Sequence, residues 1–373
     1  MEEQLRTEIT RKFKRAIKKW IGVTVNPDFF AYTGGLSGAG VYNVPLKLSF
    51  PGLSRDPIDL TVVIKLDSKH AFDQDQENYG KLEQLPNIQK YFAAFASSPE
   101  QINEEFFMVM EFLEGYNSLH NILYSITEKL AYERCITVFD AIHEVHVGDE
   151  GEKGNTGVKI LCSLYFGEIE KSVRKIANKS ETLRKMVLEP QPYIDSDRNA
   201  YRKVTLQECL EKLWNRREDL EPTIKTRMHG DCHGRNIMFN QDGNPRIKFI
   251  DIDKFVFEGD YIYDFGELIA DLEVVGFLKE QIHFSLPPNP FEYELKLPTT
   301  VANAVKVIWE QVEQRAKKDK SEWKSRLYLA KARYLLSLVP ELKKHSEMEF
   351  TTFCEGLKAL QDAINELEDG TKL

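Results

Sequence analysis

HGDCHGRNIMFNQDGNPRIKFID, residues 229–251, is the stretch from which the fold is read. Residues 237–240 and 246–250 predict two short strands, and Asp242 and Gly243 between them supply the turn chemistry that closes such a pair into a hairpin. Counting outward from the turn, Asn236 falls just before the first strand and Asp251 just after the second. An amide oxygen and a carboxylate are thereby expected to face one hard cation. Asp231 stands one loop away. A carboxylate in that position is suited to accept a hydroxyl proton while a metal holds a phosphoryl group.

Outside this stretch the chain is long and mixed. Its 373 residues, 42% of them hydrophobic, suffice for two packed lobes of a soluble globular protein. A formal charge of -9 argues against a general nucleic-acid binder, which carries a basic surplus. The five cysteines are odd in number and scattered without close pairs, so neither a disulfide framework nor a zinc site is indicated, and a reducing, cytoplasmic compartment is expected. No run approaches the roughly 18 apolar residues of a membrane span. Residues 1–20 form a predicted amphipathic helix with Leu5, Ile9, Phe13, Ile17 and Trp20 on one face. Its basic remainder suits an anionic membrane surface, but packing on the first lobe is the stronger expectation.

Strand patterns dominate up to about Glu114, at 41–50, 58–66 and 106–112, with one helix at 71–85 between them. Beyond Gly115 helical periods take over, at 128–147, 166–188, 206–220, 261–279, 299–317, 323–338 and 347–367. The composition shift divides the chain into an N-terminal lobe, residues 1–114, and a C-terminal lobe, residues 115–373. Residues 148–157 read as a loop and 285–298, with four prolines, as a connector.

Three further segments carry chemistry. YTGGLSGAGVYNV, residues 32–44, is a glycine-rich turn entering a strand, in which Gly35, Gly38 and the Ser37 hydroxyl suit a polyphosphate. A tight hairpin accounts for that pattern equally well. TVVIKL, residues 61–66, sets Lys65 in an apolar strand, where an unpaired ammonium would be costly. Glu77 in the following helix is the expected partner, with Asp73 and Asp75 as rivals. FFMVMEFLEG, residues 106–115, runs from a buried strand into a polar turn at the lobe boundary. The backbone from Glu111 to Leu113 there suits the edge of an adenine.

Glycine loop, strand lysine, helix acid, hinge, HGD loop and strand-end aspartate follow one another in a set order. The series resembles the aminoglycoside phosphotransferase and choline kinase superfamily, of protein-kinase-like fold, over nearly the whole chain. HGDCHGRN followed by FIDID is the most specific part of the likeness. The resemblance implies an α+β bilobal fold, with a small lobe of antiparallel sheet and one helix ahead of a larger, mostly helical lobe. It implies Asp231 as catalytic base, Asn236 and Asp251 as magnesium ligands, and ATP or GTP as donor to a hydroxyl of a small molecule. Asp253 matches an acidic position that touches metal or substrate.

A literal DFG triplet at Asp264, Phe265 and Gly266 lies 33 residues past Asp231, against 20 for Asp251. It resembles instead the segment that braces the catalytic loop, so Asp264 is expected to be structural. No HRD and no APE occurs, which weighs against a protein kinase. A nucleotide-binding sensor that transfers nothing is the other alternative, but it is expected to lack one of Lys65, Asp231, Asn236 and Asp251. Residues 166–220 and those after 261 are expected to choose the acceptor, and the acidic balance mildly favours a cationic one such as an aminoglycoside or amino alcohol, with sugars left open. His143 and His146 stand one helical turn apart without a third ligand, so packing is expected of them rather than metal binding.

Overall fold

The computed structural model describes residues 24–27, 31–32, 40–49, 58–94, 100–102, 105–147, 153–154, 160–195, 200–252, 254–276, 297–317, 319, 322–342 and 346–370. The chain forms two compact units, one of Met1–Tyr116 with Lys248–Asp253, the other of Asn117–Ile247 with Lys254–Leu373. Residues 1–20, Gly35, Ser37, Gly38 and Asp253 lie outside the described residues.

Antiparallel pairing builds the first unit. Strand Gly40–Ser49 lies beside Ile58–Asp67, which pairs in turn with Glu105–Glu111 and so has a neighbour on each side. Thr24–Pro27 and Ala31–Tyr32 pair with Gly40–Ser49, and Glu100–Ile102 closes the other edge. A lysine at the centre of this sheet is necessarily buried: Lys65 sits opposite Val41 on one side and Met108 on the other.

The helix Lys69–Leu82 starts where Ser68 caps it, its hydroxyl accepting from the Ala71 N–H at 3.3 Å. It buries Phe72, Asp75, Asn78 and Leu82, residues three or four apart that share one face. Glu77 lies two residues from Asp75, about 200° round the helix, and so faces solvent. This periodicity overturns the expected Lys65–Glu77 pair.

Residues 248–252 depart from the expected split, which gave everything from 115 on to the second lobe. They join the first unit through specific contacts. Phe249 packs against Phe92 with tilted rings 5.7 Å apart and exchanges backbone hydrogen bonds with Tyr91 and Ala93, and the Asn78 amide donates to the Ile252 carbonyl at 2.8 Å.

Helices make up most of the second unit. Glu128–Val147 and Trp323–Leu338 have the expected ends, and Thr299–Ala316 and Ser346–Gly370 differ from theirs by one to three residues. The predicted helix 166–188 is instead a π-helical turn, Leu161–Gly167, followed by Glu168–Lys179 and Glu181–Leu188. Ser180 breaks it by adopting extended backbone and capping the second piece through the Leu183 N–H. The 206–220 stretch likewise opens on a capping box between Thr205 and Glu208 and divides at Arg216.

At the centre of this unit lies the helix Tyr261–Ala270, every residue of which is buried. Gly266 lets it approach the helix Trp323–Leu338 closely, since a Cβ there would stand 2.3 Å from that of Ala330. Among the described residues no helix is long and apolar enough to cross a membrane, and all five cysteines are free thiols.

Candidate active site

Strand Ile224–Met228, not anticipated from the sequence, pairs with Val256–Gly259 and delivers the chain into the HGD loop. An irregular buried loop leaves backbone N–H groups to be satisfied from elsewhere. Here one helix face does it. Asp264 accepts from the N–H groups of His229 at 2.8 Å and Gly230 at 2.9 Å, Glu267 from that of Cys232 at 2.9 Å, and Asp271 from that of Gly234 at 2.9 Å. Residues 264, 267 and 271 are spaced three and four apart, the interval that aligns side chains along a helix. The DFG-like Asp264 is therefore a brace for the loop.

Each brace has its own counter-group. His146 donates through Nε2 to Asp264 Oδ2 at 2.8 Å, and its Nδ1 accepts from Arg315 at 2.8 Å, so the ring is neutral. Burial, which penalises the charged ring, pulls its pKa down to about 4. Arg333 donates to Glu267 at 2.5 Å, while Arg235 and the Tyr334 hydroxyl reach Asp271 at 2.8 and 3.1 Å. Burial pushes the Glu267 carboxyl up to about 8, against the Arg333 guanidinium, which pulls it down. Burial likewise opposes ionisation of Asp264 and Asp271, but His146 on the first and Arg235 on the second hold both below the usual carboxylate range.

Asp231 stands within this braced loop with both oxygens engaged. The Asn236 amide donates to its Oδ2 at 3.1 Å and to its backbone carbonyl at 3.0 Å, and the Lys254 ammonium reaches Oδ1 at 2.8 Å. His233 Nε2 lies 3.7 Å from Oδ2. Burial works against the charge, yet Lys254 and then His233 carry the carboxyl well below its ordinary range, so it is ionised at neutral pH. Gly230 makes the turn into it at a φ of 80°, with the Lys254 backbone so close that a Cβ would lie 2.2 Å from the carbonyl oxygen. The hairpin that follows has strands Ile237–Phe239 and Ile247–Phe249. In its turn Asn240 accepts from the Asp242 N–H through its side chain and from Gly243 through its carbonyl.

The first unit holds the other predicted residues. Lys65 Nζ lies 2.6 Å from Asp251 Oδ1 and 3.2 Å from Asp75 Oδ2. Asp75 is thus the helix acid of the sequence pattern, and Glu77 is paired instead with Lys81 on the exposed face at 2.6 Å. Asp251 has a φ of 59°, the left-handed conformation that costs an L-residue about 1–2 kcal/mol. Glu111 is fixed on both counts: its N–H donates to the Ala94 carbonyl, and its carboxylate accepts from Lys248 at 3.2 Å and from the Ala94 N–H at 3.0 Å. The Leu113 carbonyl accepts from Tyr116 in the turn beyond.

Sequence reasoning passed over Lys254, Glu267 and Asp271. Three acids at helical spacing inside YIYDFGELIADLEV, an otherwise apolar helix, were the available signal for the last two. Nothing in the local sequence marks Lys254, whose partner is 23 residues away.

Residues 83–294 match the model of a phosphotransferase enzyme family. No curated protein sequence matches the chain. Among solved structures, aminoglycoside phosphotransferase APH(4)-Ia superposes with a TM-score of 0.55 at 11% identity, over 97% of this chain and 99% of that one. A thermostable mutant of it in ternary complex with ADP and hygromycin B gives 0.54 at 11%, over 95% and 98%. A choline kinase from Cryptosporidium parvum gives 0.46 at 13%, over 98% and 96%. The first two establish the kinase-like α+β fold.

Proposed function

The chain belongs to the phosphotransferase enzyme family, and on that premise we propose that it moves the γ-phosphoryl group of ATP, or of GTP, to a hydroxyl of a small molecule, with Asp231 as the base. The observation that carries this reading is the state of Asp231: ionised, gripped at both oxygens, and set in a loop whose backbone is braced by a buried helix. Such rigidity suits a group whose work is to orient a hydroxyl and take its proton. Each carboxylate oxygen has a second lone pair, so the grips from Asn236 and Lys254 leave Asp231 able to accept from a substrate.

Lys65 serves the nucleotide phosphates, held for that purpose by Asp75. The N–H of Leu113 donates to the purine edge, with Glu111 fixing the start of that turn through Ala94 and Lys248. Gly35, Ser37 and Gly38 belong to the phosphate side on the sequence pattern alone. Asn236 and Asp251 would hold magnesium, a hard cation taking oxygen ligands, since each carries an oxygen donor of the right chemistry: the Asn236 amide engages Asp231 through its Nδ2, and the Asp251 carboxylate is engaged by Lys65 through Oδ1. When bound, the metal would neutralise charge on the transferred group. The N-terminal lobe then carries the nucleotide and the C-terminal lobe the acceptor. The acceptor class stays as wide as an aminoglycoside, an amino alcohol or a sugar.

Asp231→Asn tests the assignment. Transfer should fall by about 10²–10⁴-fold, the usual worth of a positioned base, while nucleotide affinity stays within about twofold. Turnover at the unaltered rate would remove Asp231 from the role. A panel of hydroxyl metabolites and antibiotics, scored for phosphorylated product by mass spectrometry, identifies the acceptor. Nucleotide binding with no product from any of them would turn the reading toward a sensor.

A further inference from the structure

Lys254 is a partly exposed lysine in the turn ahead of the strand Val256–Gly259, a place where a cation usually serves only solubility. Its ammonium is nevertheless 2.8 Å from Asp231 Oδ1, while the Asn236 amide holds the opposite oxygen, Oδ2, at 3.1 Å. The backbones are fixed to each other too. Gly230, next to Asp231 in sequence, lies against the Lys254 carbonyl so tightly that only a residue without a Cβ fits.

Stability does not account for this arrangement. With 47% of its side chain exposed, Lys254 gains little from an ion pair, since screening and lost rotamer freedom hold such pairs to about 1 kcal/mol or less. What two donors on opposite oxygens do achieve is to fix the plane of a carboxylate, which one donor alone leaves free to swing about its χ2.

We infer that Lys254 is a positioning residue for the transfer reaction, gripping Asp231 Oδ1 while Asn236 grips Oδ2 so that the remaining lone pairs meet the incoming hydroxyl in one orientation. The inference rests on Asp231 being the base. Lys254 acts through Asp231, and its removal should therefore lower the rate of the chemical step without weakening the nucleotide.

Hydrolysis of magnesium-ATP by the full chain, with water standing in for the acceptor hydroxyl, reads this out. Lys254→Met should lower kcat by about 30-fold, within the loss of about 10²-fold that a small misplacement of a reacting group brings, and leave the KM for ATP within about twofold. Lys254→Arg, which keeps a donor on Oδ1, should recover most of that loss. In an Asp231→Asn background the Lys254→Met change should cost nothing more, because there is no base left to position. Thermal melting of Lys254→Met should match the parent.

Four results would overturn the inference: Lys254→Met turning over within about twofold of the parent, a loss that multiplies with that of Asp231→Asn, an effect confined to KM, or no rescue by arginine. The two readings fail separately. Asp231→Asn hydrolysing at the parent rate removes the base and Lys254 with it, whereas a slow Asp231→Asn beside a normal Lys254→Met removes Lys254 alone.

Discussion

Replacing Asp264 by asparagine changes one atom in the brace beneath the HGD loop, and its cost follows from three hydrogen bonds. Oδ2 accepts from the His229 N–H and from His146, and Oδ1 from the Gly230 N–H. An amide keeps one acceptor and turns the other oxygen into a donor. Its better orientation keeps Oδ2 and leaves the buried Gly230 N–H facing an NH2 group, an unsatisfied donor that costs about 1–3 kcal/mol. The two surviving bonds lose their charge assistance, together about another 2 kcal/mol. The sum, roughly 3–5 kcal/mol, is a large share of the 5–15 kcal/mol that holds a typical domain. Thermal melting of Asp264→Asn should therefore drop by roughly 10 °C for a unit of this size. Turnover should fall because Gly230 precedes Asp231. Affinity for magnesium-ATP, measured by calorimetry below the melting range, should hardly change. A variant that melts within about 2 °C of the parent yet binds magnesium-ATP tenfold more weakly would mean that Asp264 is a metal ligand after all, and the brace would be refuted.

Two further outcomes concern the first unit and the pH response. Asp75→Asn removes an ionised partner from buried Lys65 and should cost about 1–3 kcal/mol by urea denaturation, whereas Glu77→Gln, on the exposed face, should leave the midpoint where it was; the reverse pattern would restore Glu77 as the partner. His146 is neutral in the folded chain down to about pH 4, against an ordinary value of 6.5. As the pH falls from 6.5 toward 4 the unfolded chain takes up this proton and the folded one does not, so stability present at neutral pH declines through that window by up to about 3 kcal/mol. Urea midpoints across the same range should fall more steeply for the parent than for His146→Gln, and parallel curves would count against the neutral ring.

Legibility in the sequence tracked how local the deciding interaction is. The hairpin after the HGD loop was readable because Asp242 and Gly243 fix its turn within a few residues. Most long helices were readable from their 3.6-residue period, and the break within 166–188 was lost where Ser180 chose capping over continuation. The Lys65 partner was misread for another reason. The order of motifs asks only for an acid on the next helix, but the face is set by Phe72 and Leu82, and that face carries Asp75. Applying the helical period to QDQENYGKL would have excluded Glu77. Lys254 was out of reach because its role exists only through a contact across 23 residues.

Three buried acids, two on the helix Tyr261–Ala270 and Asp271 just past its end, are an expensive way to support a loop, since each needs a counter-group and any one left unpaired would destabilise the fold. Neutral side chains could accept the same four N–H bonds. Charge-assisted bonds are shorter and roughly twice as strong, however, and a carboxylate pointed at two amides permits less play than a hydroxyl that rotates. Stiffness at Asp231 is thus inherited in steps: from the loop backbone, from Asp264 and Glu267 of the helix Tyr261–Ala270 and Asp271 at the start of its π-helical continuation Asp271–Val275, and from the close packing of that helix on Ala330 at Gly266. A core of apolar residues alone would hold the helix equally well but give the loop nothing to hang from. On the proposed assignment of Asp231 as the base, the cost falls where a reacting group must be held to within a fraction of an ångström, which accounts for acids at 264 and 267 in so apolar a helix and at 271 just past its end.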